Sequence, residues 1–327
     1  MLIKESSLNA IVDAAERLGK GELVAFPTET VYGLGANALD GKAVARIFEA
    51  KERPAFNPLI IHVADLEMAK ELAAFDDRAI SVAKKFWPGP LTLILPRKKD
   101  SPVSELCTAG LETIAVRIPS HPVAQDLLRR AEIPVAAPSA NKSGEPSPTT
   151  PAHVLESLGD AVDLILAAGK CHVGLESTVL DLSVEQPVIL RSGAVTKEQL
   201  ETILPNVLYS NDVTQTPKSP GQTLKHYAPS IPVRLNAIDL EEGEALLAFG
   251  STKFMGIRSG GAASDLPESK VRNLSESGDL HEAAANLFAY LRELDNAEFK
   301  GIAVMNVPET GIGVAINDRL HRAAGSQ

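Results

Sequence analysis

The sequence is poor in cysteine and aromatic residues and has no long apolar run. Two of its 327 residues are cysteines, Cys107 and Cys171, and 4% are aromatic. Because the cysteines are isolated and lack a CxxC spacing, we expect no zinc or iron–sulfur site and predict small packing thiols in a reducing compartment. No stretch of about 18 apolar residues occurs, so we expect no membrane-spanning helix. The N-terminal segment lacks the features of a secretory signal, which predicts a cytoplasmic protein.

The chain also lacks an excess of basic charge. It has 32 Lys and Arg residues against 42 Asp and Glu residues, which gives a formal net charge of −10. A net acidic chain is a poor candidate for broad, non-specific nucleic-acid binding, although a local basic pocket is compatible with it. The length predicts two domains, because one hydrophobic core rarely serves a chain of 327 residues.

Several common catalytic motifs are missing from the sequence. It contains no Walker A loop, GxSxG, HExxH or dinucleotide-binding fingerprint, and no pair of carboxylates stands out as acid and base. The remaining candidates are arginine, lysine and hydroxyl side chains near the ends of apolar runs. Such groups favour a chemistry that positions and stabilises anions.

Short apolar runs alternate with helical patterns over the first two hundred residues. The predicted strands cover 23–26, 59–63, 91–95, 113–119, 134–137 and 177–182. The predicted helices cover 7–19, 41–51, 76–86, 121–131 and 150–158. This alternation predicts an α/β fold, and the absence of a regular 30-residue βαβ repeat favours a twisted mixed sheet over a simple doubly wound one.

The pattern changes after residue 204. Prolines and polar residues over 205–230 predict a linker, which is either a lid over a cavity or a spacer whose Tyr227 packs on the second domain. Residues 231–327 then show strand patterns at 245–250 and 302–308 and helix patterns at 282–294 and 316–324. We therefore predict a main domain at 1–204, the linker at 205–230 and a smaller α/β domain at 231–327.

The segment FPTETVYGLGANA (26–38) places hydroxyl groups after a predicted strand. Thr28 and Thr30 are followed by Gly33 and Gly35. Two interpretations stay open: the glycines let a ligand approach the backbone, or the segment is a tight strand-to-helix turn capped by threonine.

The segment KERPAFNPLIIHV (51–63) combines basic and amide groups on a proline-rich loop. Lys51, Arg53 and Asn57 suit a phosphate, whereas the alternative is a solvated helix end. His62 lies within the following apolar strand and is either a core histidine or a ligand-binding one.

Polar groups accompany three further predicted strands. Arg117 interrupts an apolar strand, so it needs an anion, which is either a structural carboxylate or a ligand. Ser139, Asn141 and Ser147 lie in a Ser/Pro-rich segment that is either an anion cradle or a surface loop. The last strands carry Ser177 and Arg191, for which an ordinary hairpin is the alternative to a site.

These segments together resemble the YrdC-like family in its long, two-domain form. The resemblance covers about the first 200 residues and is carried, in order, by FPTETVYGLGANA, KERPAFNPL, FWPGPLTLIL, AVRIPSHP, APSANKSGEPSPT, LESTVLDL and RSGAV. It implies a nucleotidyltransferase that condenses L-threonine, bicarbonate or CO2, and ATP into threonylcarbamoyl-AMP and pyrophosphate. Downstream proteins would move the threonylcarbamoyl group to an adenosine beside the anticodon of tRNA, and a weak contact with tRNA is implied.

The resemblance also implies the roles of individual residues. The implied threonine contacts are Thr30, His62, Arg117, Ala137 and Ser177. The implied ATP contacts are Arg53, Asn57, Thr113, Ser139, Ser147, Arg191 and Tyr227. The implied catalytic set, which supports the phosphates, is Lys51, Arg53, Ser139 and Asn141. Mg2+ is expected to ride on the ATP phosphates without dedicated protein ligands.

The linker departs from the family pattern. In SPGQTLKHYAP (219–229), Gln222, Thr223 and Leu224 stand where a methionine, a basic residue and an aromatic are usual, while His226 and Tyr227 remain. The alternative function is an RNA-binding or ribosome-associated module of the same fold. A carbamoyl-transfer domain of hydrogenase maturation is a third candidate, but those proteins carry zinc-binding cysteines in a longer chain.

Overall fold

The computed structural model describes residues 2–54, 56–210, 227–253, 255–258, 260–261 and 266–325. Most of the predicted linker, including Gln222, Thr223, Leu224 and His226, lies outside these ranges. The chain divides into two units. The first unit takes the described parts of 1–143, 147–172 and 176–223, and the second takes 144–146, 173–175 and the described parts of 224–327.

A mixed sheet forms the centre of the first unit. Its strands are β1 (Leu2–Glu5), β2 (Val24–Phe26), β3 (Gly33–Asn37), β4 (Ile60–His62), β5 (Leu91–Pro96), β6 (Thr113–Arg117), β7 (Val135–Ala136), β8 (Leu164–Ala167), β9 (Thr178–Asp181), β10 (Val188–Arg191) and β11 (Leu208–Tyr209). Their order is β1-β8-β2-β3-β7-β4-β6-β5-β9-β10-β11. The sheet contains both parallel pairs, such as β4 with β6, and antiparallel pairs, such as β5 with β6, which confirms the predicted mixed sheet.

Helices cover this sheet. They are α1 (Leu8–Gly19), α2 (Gly41–Lys51), α3 (Leu66–Leu72), α4 (Asp77–Phe86), α5 (Glu105–Thr108), α6 (Pro122–Ala131), α7 (Pro151–Leu158) and α8 (Lys197–Glu201). Side-chain oxygens of Asp40, Asp76 and Thr150 accept backbone N–H bonds at the starts of α2, α4 and α7. These local signals explain why the predicted helix bounds agree closely with the observed ones.

Strand β3 corrects one interpretation of the glycine-rich segment. Gly33 and Gly35 do not form a turn into a helix, because they belong to β3, which pairs antiparallel with β2 and β7. A Cβ at Gly35 would lie 2.9 Å from the Phe26 ring and 3.0 Å from a methyl of Val135. Gly35 is therefore small because the neighbouring strands pack their side chains over it.

The two faces of the sheet bury different apolar clusters. Side chains such as Ala25, Ile61 and Val116 join the large cluster on one face. Val24 and Phe26 pack with α1 and α6 on the other face, as strand alternation requires. Further along that second face lies a small apolar cluster, which consists of Ile60, Ile94, Ala115 and Val179 with Leu190 packed against it.

The second unit is also α/β. Its strands are β12 (Val233–Arg234), β13 (Asp239–Leu240), β14 (Glu244–Ala248), β15 (Gly256–Ile257), β16 (Val271–Asn273) and β17 (Gly301–Val304), and its helices are α9 (Leu280–Leu294) and α10 (Gly313–Ala324). Four strands form a parallel sheet in the order β12-β17-β14-β16. None of the helices in the described ranges is long and apolar enough to cross a membrane.

Candidate functional site

Four of the predicted threonine contacts lie at or near the ends of neighbouring inner strands of the first sheet. His62 lies directly beside Arg117 in the parallel pair of β4 and β6. The amide of Ala137 donates to the carbonyl of Ile60, 3.0 Å away. Ser177 immediately precedes β9, whose first residue Thr178 pairs with Leu91. Residues far apart in sequence therefore lie on the same face of the sheet, the one that carries the small apolar cluster.

Arg117 is held by three hydrogen bonds. Its Nε donates to the Gly89 carbonyl at 3.2 Å, Nη1 to Thr30 Oγ1 at 3.0 Å, and Nη2 to Glu29 Oε1 at 2.6 Å. Arg117 is 3% exposed and Glu29 1%. The structural carboxylate left open by the sequence is thus Glu29, and Arg117 still has N–H groups that these three bonds do not use.

Glu29 remains ionised in this environment. Burial alone would raise the pKa of Glu29, but the charge and hydrogen bond of Arg117 hold it below its usual value. The other carboxylate oxygen, Oε2, accepts the backbone N–H of Ser120 at 3.0 Å. Sequence analysis placed Glu29 in a candidate segment but gave it no role, since its partner Arg117 is 88 residues away.

His62 is buried and neutral. Burial, together with the smaller effect of the nearby Arg117 charge, lowers the pKa of His62 to about 3. Its ring meets the Phe26 ring edge-on, with centroids 6.1 Å apart. Nδ1 makes no hydrogen bond of good geometry with the described residues. A neutral imidazole with an unsatisfied nitrogen is suited to a hydrogen bond with a bound ligand.

The direction of the hydrogen bonds around Thr30 can be worked out. Thr28 Oγ1 lies 2.6 Å from the Val31 carbonyl, which can only accept, so Thr28 donates its hydroxyl proton there. Thr28 has no second proton, so we assign Thr30 as the donor in the 2.7 Å hydrogen bond between the two hydroxyls, alongside the amides of Thr30 and Val31, which also donate to Thr28 Oγ1 at 3.2 Å. Because Thr30 also accepts from Arg117, its oxygen retains one lone pair and can only accept from a ligand.

Ser177 is hydrogen-bonded to Arg191, the last residue of strand β10. Its hydroxyl lies 2.7 Å from that of Thr92 and accepts from Arg191 Nη2 at 3.2 Å. Arg191 Nε donates to the Ser177 carbonyl at 3.1 Å. Ser177 and Arg191, predicted for different substrates, are therefore in direct contact.

Three predicted ATP contacts lie near the starts of β4 and β6. Arg53 and Asn57 precede β4, and Thr113 is the first residue of β6. Thr113 and Arg117 face the same side of β6 but are four residues apart, or about 13 Å along the strand. Arg53 Nη2 donates to the Pro58 carbonyl at 3.1 Å, just before β4. Asn57 is buried, and its Oδ1 has no hydrogen-bond partner among the described residues. A buried amide oxygen without a partner suits a ligand that donates.

Lys51 is buried at the end of α2, so the interpretation of this residue as part of a solvated helix end is wrong. Its Nζ donates to the carbonyls of Ser139, 2.5 Å away, and Asn141. The amide of Ser143 donates back to the Lys51 carbonyl at 2.9 Å. Lys51 thus fixes the loop after β7 that carries two of the predicted catalytic residues.

A second buried carboxylate lies beside Ser147. The Ser147 hydroxyl donates to Glu176 Oε1, and both residues are buried. Because the proton of Ser147 points to Glu176, its oxygen offers only lone pairs to a ligand. Glu176 was missed by sequence reasoning, although its position between Leu175 and Ser177 in an apolar segment is a usable signal for a buried charge.

Tyr227 belongs to the second unit. It is 1% exposed, its ring centroid lies 5.2 Å from that of Phe288, and Arg319 lies 5.4 Å above the ring. The backbone of Tyr227 is left-handed, with a φ of 63°. Tyr227 therefore packs within the second unit, and its predicted ATP contact stays a prediction.

Both cysteines are buried free thiols, which confirms their prediction as packing residues. Burial raises the pKa of each thiol to about 12. In the described ranges, no three His, Cys, Asp or Glu side chains come together as metal ligands.

Comparison with protein families gives two matches. The Sua5/YciO/YrdC model, described as "Telomere recombination", matches residues 16–193. A model described as the C-terminal domain of threonylcarbamoyl-AMP synthase matches residues 195–325.

Individual proteins match over almost the whole chain. Threonylcarbamoyl-AMP synthase of Bacillus subtilis is 41% identical, with 97% of this chain and 93% of the relative covered. The Pyrococcus abyssi protein of the same name is 43% identical, with 95% and 93% covered. A crystal structure of P. abyssi Sua5 complexed with L-threonine superposes with a TM-score of 0.87 at 39% identity, covering 99% of this chain and 97% of that one.

Proposed function

The chain belongs to the Sua5/YciO/YrdC family, and we propose that it condenses L-threonine, bicarbonate and ATP into threonylcarbamoyl-AMP and pyrophosphate. The likeness to P. abyssi Sua5 complexed with L-threonine, over nearly the whole chain, carries this proposal. The buried cluster of Arg117, Thr30 and His62 supplies the chemistry that an amino acid requires. Residues 1–204 carry the reaction, 205–230 link the domains, and 231–327 form the smaller domain.

Threonine binds beside Arg117, at the end of strand β6. The remaining N–H groups of Arg117 hold its carboxylate, since guanidinium and carboxylate match as a fork. Thr30 accepts a hydrogen bond from a substrate N–H or O–H group because its own proton is already donated to Thr28. His62 contributes a neutral nitrogen, and Ala137 and Ser177 complete the contacts.

ATP binds across the rest of the same face. Its contacts in the first unit are Arg53, Asn57, Thr113, Ser139, Ser147 and Arg191, with Lys51 and Asn141 supporting the phosphates. A contact of ATP with Tyr227 is also part of the proposal. The Asn57 oxygen without a partner and the lone pairs of Ser147 favour ligand donors such as amino or hydroxyl groups. Arg53 and Arg191 supply positive charge for the triphosphate.

The reaction depends on the positioning of its substrates and does not require a covalent enzyme intermediate. The threonine amine adds to CO2 and loses a proton, or condenses with bicarbonate and releases water, and either route gives a carbamate. A carbamate oxygen then forms a bond to the α-phosphorus of ATP, the bond from that phosphorus to the bridging oxygen breaks, and pyrophosphate leaves. Carbamate and phosphate are both anionic, so fixed cations and hydroxyls lower the barrier by offsetting their repulsion.

Mg2+ accompanies ATP in this proposal. The ion prefers phosphate oxygens and water and needs few protein ligands, so the buried carboxylates Glu29 and Glu176 are not assigned to it. The product passes to downstream proteins that transfer the threonylcarbamoyl group to an adenosine beside the tRNA anticodon, with weak tRNA contact by this chain. We place the protein in the cytoplasm, where ATP and tRNA are present.

Pyrophosphate release tests the function directly. The protein is incubated with ATP, Mg2+ and bicarbonate, together with threonine, serine, valine or no amino acid. We expect release that depends on both threonine and bicarbonate. Equal release with serine, valine or no amino acid contradicts threonine specificity, and no release at all contradicts the proposed reaction.

A further inference from the structure

Glu29 makes two hydrogen bonds at the centre of the threonine site. It accepts from Arg117 through one carboxylate oxygen at 2.6 Å and from the Ser120 amide through the other at 3.0 Å. The residue lies in the loop between β2 and β3 and is 1% exposed. The Ser120 amide follows the end of β6 by three residues, so Glu29 ties this loop to the strand that carries Arg117.

The contacts of Arg117 leave a defined number of donors. A guanidinium has five N–H groups, and Gly89, Thr30 and Glu29 each take one within the described part of the chain. One N–H group therefore remains on each terminal nitrogen. Two such donors are what a substrate carboxylate needs for a two-point contact.

We propose that Glu29 is a positioning residue that fixes the Arg117 guanidinium for the substrate carboxylate without touching the substrate. This inference rests on the proposed function. The Glu29 carboxylate determines which N–H group of Nη2 is occupied and so fixes the plane of the guanidinium. The Ser120 amide in turn fixes the carboxylate, because both oxygens are held.

The position of Glu29 has an electrostatic cost for substrate binding. Its negative charge neutralises Arg117 and repels an incoming carboxylate at short range. Removing only the charge would therefore strengthen the attraction between Arg117 and threonine. Removing the geometry would weaken the two-point contact. These two effects have opposite signs, so the direction of the change identifies the role of Glu29.

The variant Glu29→Gln shows which of the two effects is larger, because it removes the charge and one acceptor together. Arg117 and Ser120 donate to different oxygens of Glu29, so in glutamine one of these two donors faces an NH2 group that cannot accept. We expect the KM and the calorimetric Kd for threonine to rise about tenfold, as loss of one well-placed charge-assisted bond implies. The KM for ATP is expected to stay within about twofold, because the variant leaves the ATP contacts in place.

Glu244→Gln is the matched control. Glu244 accepts from Arg234 Nε at 2.8 Å and Nη2 at 2.5 Å in the second unit, so its substitution also breaks a paired Arg–Glu contact. The threonine KM should be unchanged in this control. Circular dichroism and thermal unfolding of both variants show whether they are folded at the assay temperature.

Each outcome decides the proposal. An unchanged or lowered threonine KM in folded Glu29→Gln overturns it, as does a fall in kcat with both KM values unchanged, which is the signature of a purely structural pair. If the wild-type protein shows no threonine-dependent pyrophosphate release, the proposed function fails. Threonine calorimetry then still tests whether Glu29 positions Arg117 for an amino-acid carboxylate.

Discussion

Arg117 in the first unit and Arg319 in the second are both almost completely buried, yet their surroundings differ. Arg117 contacts the buried carboxylate of Glu29, a hydroxyl and a carbonyl, and it lies beside neutral His62. Arg319 donates to Asp318, its neighbour in α10, and lies over the ring of Tyr227. Asp318 keeps 28% of its side chain exposed.

The comparison shows that burial of an arginine does not by itself indicate a ligand. Arg319 is enclosed by an aromatic packing cluster, in which Tyr227 also contacts Phe288. Arg117 is surrounded by polar groups whose remaining donors and acceptors are not all used. The unused donors and acceptors around Arg117, more than its depth of burial, support the proposal that this region is the functional one.

Substitution of Arg319 should have the largest effect on stability. We expect Arg319→Ala to lower the free energy of unfolding of the second unit by about 3 kcal/mol, because a large side chain is removed from a closed cluster. Denaturant unfolding measures this change, and the threonine KM should not respond. Arg322→Ala is the control: it also pairs with Asp318 but is 20% exposed, so its loss should cost less than about 1 kcal/mol. A raised threonine KM in Arg319→Ala would remove the distinction between the two arginines.

Arg117→Lys should produce the next largest effect, on catalysis. Lysine keeps the charge but loses the planar fork, so we expect kcat/KM for threonine to fall about 10- to 100-fold. Steady-state pyrophosphate release measures this ratio, with ATP titrated separately to show an unchanged KM. Arg46→Lys, at the partly exposed pair with Asp163, is the control. Unchanged threonine affinity in folded Arg117→Lys would count against the clamp.

The neutral state of His62 predicts a pH effect on stability. Its pKa is lowered to about 3 in the folded protein, so below pH 6.5 the unfolded state binds a proton that the folded state does not. Folding should therefore lose about 1.4 kcal/mol per pH unit as the pH falls below 6.5, or about 2 kcal/mol by pH 5.

The His62→Phe variant isolates this contribution. The variant should lack that part of the pH dependence, and unfolding curves at pH 7, 6 and 5 give the difference in slope. Burial also lowers the pKa of His121. Because His121 is present in both the wild type and the variant, its contribution to the slope cancels. Equal slopes in wild type and variant would show that His62 titrates normally.

Thr28→Val should have the smallest effect. It removes the hydroxyl that accepts the proton of Thr30, so Thr30 can turn its own donor towards the substrate. Loss of one neutral hydrogen bond predicts a rise in threonine KM of about threefold to tenfold. Thr28→Ser, which keeps the hydroxyl, should restore the wild-type value. If valine and serine at position 28 behave alike, the assigned direction of this hydrogen bond is wrong.

Local patterns predicted much of the fold. Helix α2 was expected at 41–51 and is found at Gly41–Lys51, because Asp40 caps its start and its apolar positions face the sheet. The predicted strands at 91–95 and 113–119 correspond to β5 and β6. Strand β3 was missed because a run of small residues carries no alternating pattern, and its pairing depends on Phe26 and Val135 packing over Gly35.

The candidate site was predicted in its residues but not in its contacts. The sequence by itself established that Arg117 is a cation within an apolar strand and that hydroxyl groups follow strand ends, since these are properties of neighbouring residues. Only the tertiary structure determined that Glu29 is the partner of Arg117, that Lys51 holds the loop of Ser139 and Asn141, and that Tyr227 packs against Phe288. The physical reason is that a hydrogen bond or ring contact depends on angstrom-scale distances between residues as many as 90 positions apart, which strand register and packing set and local pattern does not.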